Sequence, residues 1–254
     1  MTLIFFSLNS FANDIFITQS GDNFEALINQ KGQNQQIKGG NTIISIDGGT
    51  TTTSAPIDGD DNYVKVLQGT SNTSNNLVEL DVAGDTNSVI VLQDRTDMGN
   101  DDTTAYGNHT SSIRLLGDNN NVNTIQRNNG TNAQQGHSVA IDIIGSGTDI
   151  DVKQISDYGK TANLDIDADD VTVDIYQNGH GNHTINLDVD NNGSTFDLDQ
   201  GYNPGSTGHD MNISTSGAYA STITVDQQSN TAQSYSLSQD CQTTGGCSVA
   251  VTQY

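Results

Sequence analysis

One pattern constrains this chain more than anything else in it: apolar-x-apolar-x-apolar, six intervening residues, then apolar-x-apolar-x-Gln. It fits Val78, Leu80, Val82, Val89, Val91 and Gln93 without a gap. It returns at Val139, Ile141, Ile143, Ile150, Val152 and Gln154, and at Ala162, Leu164, Ile166, Val173, Ile175 and Gln177. A fourth close copy is Ile185, Leu187, Val189, Phe196, Leu198 and Gln200. Looser copies extend the series. They are Ile113, Leu115, Val122, Thr124 and Gln126; Met211, Ile213, Thr215, Ile223, Val225 and Gln227; and Tyr235, Leu237, Gln239, Val249, Val251 and Gln253. Another joins Ile44 and Ile46 to Val64, Val66 and Gln68 across a long Thr/Gly/Asp insertion. The N-terminal copy runs Ile15, Ile17, Gln19, Ala26, Ile28 and Gln30, with Gln closing both halves.

Strict alternation of apolar and polar residues is the signature of strands, so each copy reads as two short strands joined by a turn. Alternate side chains point to opposite faces, and the apolar set therefore shares one face. One such unit cannot bury that face alone. Stacked units can, and they also pair each backbone group with the unit above and below, at about 4.8 Å. The expectation is an all-β chain, a single β-solenoid of about nine strand-turn-strand coils in register, roughly 40 Å long at that spacing. A buried Gln is costly without partners. Repeated once per coil, its amide donates to and accepts from identical neighbours, forming a Gln ladder. The connectors are rich in Gly, Asn, Asp and Ser, which tolerate turn geometry.

Composition alone would mislead. Only 32% of the 254 residues are hydrophobic and the formal net charge is −23, values that ordinarily point to disorder. The arrangement of the apolar residues overrides that average. Met1 to Ala12 is an apolar run ending in Ser10-x-Ala12, which fits the back half of a secretory signal cleaved after Ala12, although the basic region that opens such signals is missing. The other reading of this run is a first strand. Residues 13–254 then form the repeat domain of an exported chain. No stretch has the 18 or so consecutive apolar residues of a membrane helix. Cys241 and Cys247 are close enough to close a small loop, and in an exported chain a disulfide is the expected state; two free thiols belong to the cytosolic alternative.

The segment Ile15–Gln30 resembles a curlin repeat, with Gln19-x-Gly21, Asn23, Ala26, Ile28 and Gln30, and the two Gln eleven residues apart. Gln177-x-Gly179 with Asn182, and the ending Val249-x-Val251-x-Gln253-Tyr254, are similar. Most copies depart from the curlin pattern by placing an aliphatic residue where the first Gln would be. The resemblance implies a curli-type functional amyloid subunit, secreted unfolded through an outer-membrane pore. It would polymerise outside the cell into a biofilm fibre with a nucleator or companion subunit. Physics leads the same way, because the open end of a solenoid is a template for another chain. The first and last coils would then stack head to tail.

On this register Asp142, Asp165 and Asp188 form one outward row, and Asp151, Asp174 and Asp197 another. Neighbouring carboxylates repel by roughly 0.9 kcal/mol at 4.8 Å in water. Diffuse cation binding is the expectation; specific calcium sites are the alternative, though no bounded oxygen-ligand loop is present. The charge argues against a nucleic-acid partner. His109, His137, His180, His183 and His209 all fall in connectors leading to the next coil, and read as incidental before they read as a transition-metal site. No nucleophile motif, phosphate loop or paired-carboxylate constellation stands apart from the repeat, so neither an enzyme nor a cofactor is expected. Two other readings compete with the fibre. One is a surface adhesin or ice-binding solenoid, which needs a flat Thr array; the other is a carbohydrate-active β-helix enzyme, which needs clustered carboxylates along a groove.

Overall fold

The structure is a computed structural model. It describes the backbone of strands within 14–17, 24–29, 35–39, 42–46, 57–58, 62–67 and 78–83, and nearly all backbone and side chains of 86–92, 109–127, 136–155, 159–178, 182–190, 193–201, 209–216, 222–228, 232–240 and 247–253. The N-terminal strands are β1 (Asp14–Ile17), β2 (Phe24–Asn29), β3 (Gln35–Gly39), β4 (Thr42–Ile46), β5 (Ile57–Asp58) and β6 (Asn62–Leu67). Then follow β7 (Val78–Ala83), β8 (Val89–Leu92), β9 (Ser111–Asp118), β10 (Asn121–Gln126), β11 (Ser138–Ser146), β12 (Asp149–Gln154) and β13 (Lys160–Asp169). The series ends with β14 (Thr172–Gln177), β15 (His183–Asp190), β16 (Thr195–Gln200), β17 (Met211–Ser216), β18 (Thr222–Gln227), β19 (Ser236–Gln239) and β20 (Ser248–Gln253). Among the described residues there is no helix.

The fold is an all-β parallel solenoid. Odd-numbered strands from β5 to β19 form a sheet of eight, and β2 with the even-numbered strands from β6 to β20 forms a sheet of nine. Each successive pair within these sheets is parallel. Parallel in-register pairing follows from the repeat: each strand finds the same side-chain pattern one coil away, and a slip by one residue would turn its apolar set to solvent. The stretch 138–227 makes four regular coils.

Within those coils the inward residues form vertical columns. Val91, Thr124, Val152, Ile175, Leu198 and Val225 follow one another in register, each fully buried. So do Val89, Val122, Ile150, Val173, Phe196 and Ile223. Val139, Ile141, Ile143, Leu164, Ile166, Ile185, Leu187 and Val189 line the facing sheet, and the two sets make one core cluster. Fully burying a side chain of this kind contributes about 1.5–3 kcal/mol. That gain recurs in every coil, which is how a chain with so few apolar residues sustains a core.

The turn between the two strands of a coil is also built in columns. Asn119, Gly147, Asp170 and Gly193, each two residues before the second strand, all have positive φ, from 54° to 74°. Left-handed backbone favours Gly and, next, Asn and Asp, and the sequence alternates among those three at this position. Beneath it lies a buried set, Asn87, Asn120, Thr148, Val171 and Ser194. There Asn120 donates to Asn87, and the Thr148 hydroxyl donates to Asn120 Oδ1 at 3.4 Å.

The N-terminal part departs from the expected stack. Ile44 and Ile46 do not open a coil with Val64: β4 pairs antiparallel with β3, Ile44 opposite Ile37, and together with β1 they form a separate three-stranded sheet. The two residues between these paired strands are Gly40 and Asn41, a hairpin pair. A local hairpin closes a shorter loop than pairing across the long insertion does. The short β5, with Ile57 beside Val82, takes the place in the eight-stranded sheet expected for Ile44 and Ile46. Ile15 and Ile17 likewise lie in β1 beside Ile37, away from the long sheets, whereas Ile28 stacks in the nine-stranded sheet next to Val66. The side chains of Ile15, Ile17, Ile28, Val78, Leu80 and Val82 are not described, and residues 1–13 lie outside the described residues.

Two further expectations are corrected at the C-terminal end. Val249 and Val251 continue the inward columns above Ile223 and Val225, yet are 40% and 41% exposed, since β20 is the edge strand among the described residues. Gln239 belongs to the eight-stranded sheet, where it stacks on Thr215, and so is no part of the Gln column that ends in Gln253. Substituting Ile175 by Ala is expected to cost about 2–5 kcal/mol, and Val251 by Ala under about 1 kcal/mol, since the latter side chain is half exposed; urea unfolding of the two variants checks the contrast.

Candidate assembly interface

The Gln side chains close the corner where one coil passes to the next. Gln126, Gln154, Gln177, Gln200 and Gln227 are fully buried in one column of the nine-stranded sheet. Gln177 Nε2 donates to Gln154 Oε1 at 3.5 Å, Gln200 to Gln177 at 3.0 Å, Gln227 to Gln200 at 2.9 Å, and Gln253 to Gln227 at 2.6 Å. The second N–H of each amide turns across the corner. Gln154 donates to Thr161 O at 2.8 Å, Gln177 to Thr184 O at 3.0 Å, Gln200 to Asp210 O at 3.0 Å, and Gln227 to Ser234 O at 2.9 Å. Gln126 donates to Ser138 O at 3.1 Å in the same way. Gln177, Gln200 and Gln227 thus each stitch their strand both to the coil below and to the strand that follows it. Gln19, Gln30, Gln68 and Gln93 lie outside the described residues.

The ladder has a direction. Among the described residues every amide-to-amide bond of this column points from the later coil to the earlier one, so the last member, Gln253, presents its Oε1 at the open end. Around it lie Val249, Val251 and the unpaired edge of β20. On the other sheet the end is β19, where Leu237 and the preceding Tyr235 pack partly against the core. Burial raises the Tyr235 hydroxyl above its usual pKa of 10.0. This end therefore combines exposed aliphatic side chains in core register, an amide acceptor and two open strand edges.

The histidines are interior. His109, His137, His183 and His209 are buried, and Lys160, paired with His183 in register and fully buried, continues their column. The rings of His109 and His137 lie 4.7 Å apart and tilted; those of His183 and His209 lie 5.1 Å apart and stacked. Sequence reading placed these residues on connectors without placing them inside. The available signal was positional, since each lies two residues before the first inward residue of its strand. His180 and Cys241 fall outside the described residues, and with Cys241 the expected pairing to Cys247. Among the described residues no group of three His, Cys, Asp or Glu side chains could hold a metal.

The acidic rows lie where the repeat puts them. Asp142, Asp165 and Asp188 are consecutive on the eight-stranded sheet, and Asp151, Asp174 and Asp197 on the nine-stranded sheet. Arg114 meets Asp142 at 3.2 Å and Lys153 meets Asp151 at 3.6 Å. Burial, then the Asp151 and Asp197 charges, raise the Asp174 carboxyl above 3.8. Asp199, next to Asp226 in register, is pushed up to about 6, first by burial and then by that neighbour. Sequence reading missed an outward amide row on the other sheet: Asn186 donates to Asn163 at 2.8 Å, and Asn212 to Asn186 at 3.0 Å.

The chain matches no known protein family, no curated protein and no solved structure.

Replacing Gln177 by Leu strands the Gln154 acceptor and one Gln200 donor, an expected loss of about 2–5 kcal/mol. Gln253→Leu, at the exposed end, is expected to cost about 1 kcal/mol or less; equilibrium unfolding separates the two. The raised Asp199 means that the folded chain holds a proton which the unfolded chain releases near 3.8. Stability from this group is therefore present below about pH 4 and falls as pH rises towards about 6. The thermal midpoint should be higher at the acid end of that window than at pH 7, and Asp199→Asn should flatten the profile.

Proposed function

We propose that this chain is the structural subunit of an extracellular, curli-like amyloid fibre, a solenoid of about nine coils that polymerises by head-to-tail stacking. The observation that carries the reading is the C-terminal end: two parallel sheets stop at open strands, with Val249 and Val251 exposed directly above buried columns. An edge of that kind accepts another strand unless something covers it. The opposite end of the nine-stranded sheet is β2, where Ala26 and Ile28 begin the same two columns that Val249 and Val251 finish. A second copy stacked so that its β2 follows β20 continues both columns in register. The Cys241–Cys247 disulfide, on this reading, holds the enlarged turn of the terminal coil. A secretion pore and a nucleator or companion subunit are the partners such a fibre requires, and the biofilm matrix is its place.

Dilution of the full chain from denaturant, followed by sedimentation and electron microscopy, tests this. Long filaments that bind amyloid dye are expected, with a lag removed by preformed seeds. Val251→Lys should slow elongation strongly while leaving the strand content of the monomer intact. A chain that stays monomeric with full strand content would sink the fibre and leave a monomeric surface solenoid.

A further inference from the structure

A straight, open groove of about 580 Å³ runs along the outside of the eight-stranded sheet, across its strands and so parallel to the solenoid axis. One wall is the amide row Asn163, Asn186 and Asn212; the other is the carboxylate row Asp142, Asp165 and Asp188. The floor lies at Leu164 and Leu187, whose side chains turn into the core and leave 2% of each residue exposed. Both walls repeat once per coil, at about 4.8 Å.

We propose that this groove binds a linear amino-polysaccharide, a chain of linked sugars carrying amine and hydroxyl groups. Each Asn side chain has two N–H donors and two acceptor lone pairs. The axial ladder uses one of each at Asn186, and what remains faces the groove at a fixed repeat. That is a regular row of neutral donors and acceptors, suited to hydroxyls. The facing wall is anionic. Arg114 engages Asp142 at one end, while no ion pair to Asp165 or Asp188 is found among the described residues. Ammonium groups arriving along this wall relieve the repulsion between neighbouring carboxylates, and the same wall rejects phosphates and uronates.

The uniformity of the groove selects the kind of chain. A peptide presents different side chains to each subsite and needs pockets of different shape. Here two successive coils offer the same facing pair, Asn163 with Asp165 and Asn186 with Asp188, flanked by Ala140 with Asp142 and by Asn212 with Ser214, which fits a short stretch of a polymer of one repeating unit. The other sheet provides a built-in comparison. Its row Asp151, Asp174 and Asp197 carries similar charge, with Lys153 beside Asp151, but among the described residues no amide ladder stands opposite it. The groove lies within one chain, so the inference holds whether or not copies assemble.

The test is calorimetric titration of the monomeric full-length chain with a glucosamine hexamer, a fully N-acetylated hexamer, a glucose hexamer and hexalysine. The glucosamine hexamer is expected to bind, with the other three weaker by about tenfold or more. The double variant Asp165→Asn, Asp188→Asn should weaken that binding by about tenfold, and Asn186→Leu by a similar factor. Asp174→Asn with Asp197→Asn removes the same charge from the opposite sheet and should change affinity less than about twofold. Circular dichroism checks that every variant keeps its strands. Equal loss in both Asp double variants, hexalysine binding as tightly as the sugar, or no binding of the glucosamine hexamer would each overturn the proposal. So would chain-to-chain association through this face that the groove variants abolish, which would make a second copy its occupant.

Discussion

Everything in this molecule depends on identical positions standing one above another at the strand spacing. Parallel in-register pairing turns each template position into a column, and the column decides what a residue costs. A single buried Gln in an apolar interior is a liability. In a column it has an acceptor below it, a donor above it and a carbonyl across the corner, as Gln177 and Gln200 do. The same arrangement makes Asn tolerable in rows outside, and it makes repeated carboxylates expensive, because each like charge sits beside its own copy. The carboxyl of Asp199 is raised first by burial and then by the Asp226 charge beside it, so repulsion is only part of that shift.

Much of this was legible because strand period and coil period are both read directly from spacing. Val152, Ile175 and Leu198 could be assigned to one column by counting alone, and their burial follows from the count. The alternation of Asn, Gly, Asp and Gly at the turn was legible as turn chemistry, though not as a single left-handed column. Counting failed where local and long-range pairing compete. Thr42–Ile46 carries the apolar alternation of a coil strand, but Gln35–Gly39 lies next to it in sequence and takes it as an antiparallel partner. Nothing in the period of β4 itself distinguishes these two outcomes.

Counting also failed where residue type suggested one environment and register another. His137, Lys160, His183 and His209 look like surface connector residues by type; their column places them inside. Asn163, Asn186 and Asn212 look like generic solvent-facing polar residues, and become a ladder only when the coils are set in register. Val249 and Val251 fail in the opposite sense. Their type and spacing are those of core residues, but they lie in the edge strand of the sheet and are exposed on the side away from Ile223 and Val225.

The two ends of the solenoid are consequently unlike. At the C-terminal end both sheets stop bare, at β19 and β20, and the amide ladder finishes on an acceptor. At the N-terminal end the nine-stranded sheet stops at a full strand, β2, while the eight-stranded sheet tapers into the two-residue β5, with β4 lying alongside β7. A stack of such chains, as proposed, is continuous through one sheet and must rearrange or skip through the other at every junction. Because the amide bonds all run from later coil to earlier coil, an incoming first coil meets an acceptor already in place, whereas an incoming last coil has to bring its own. In the proposed fibre the direction of the ladder would therefore make the two tips chemically different, even though the regular coils between them are built on the same plan.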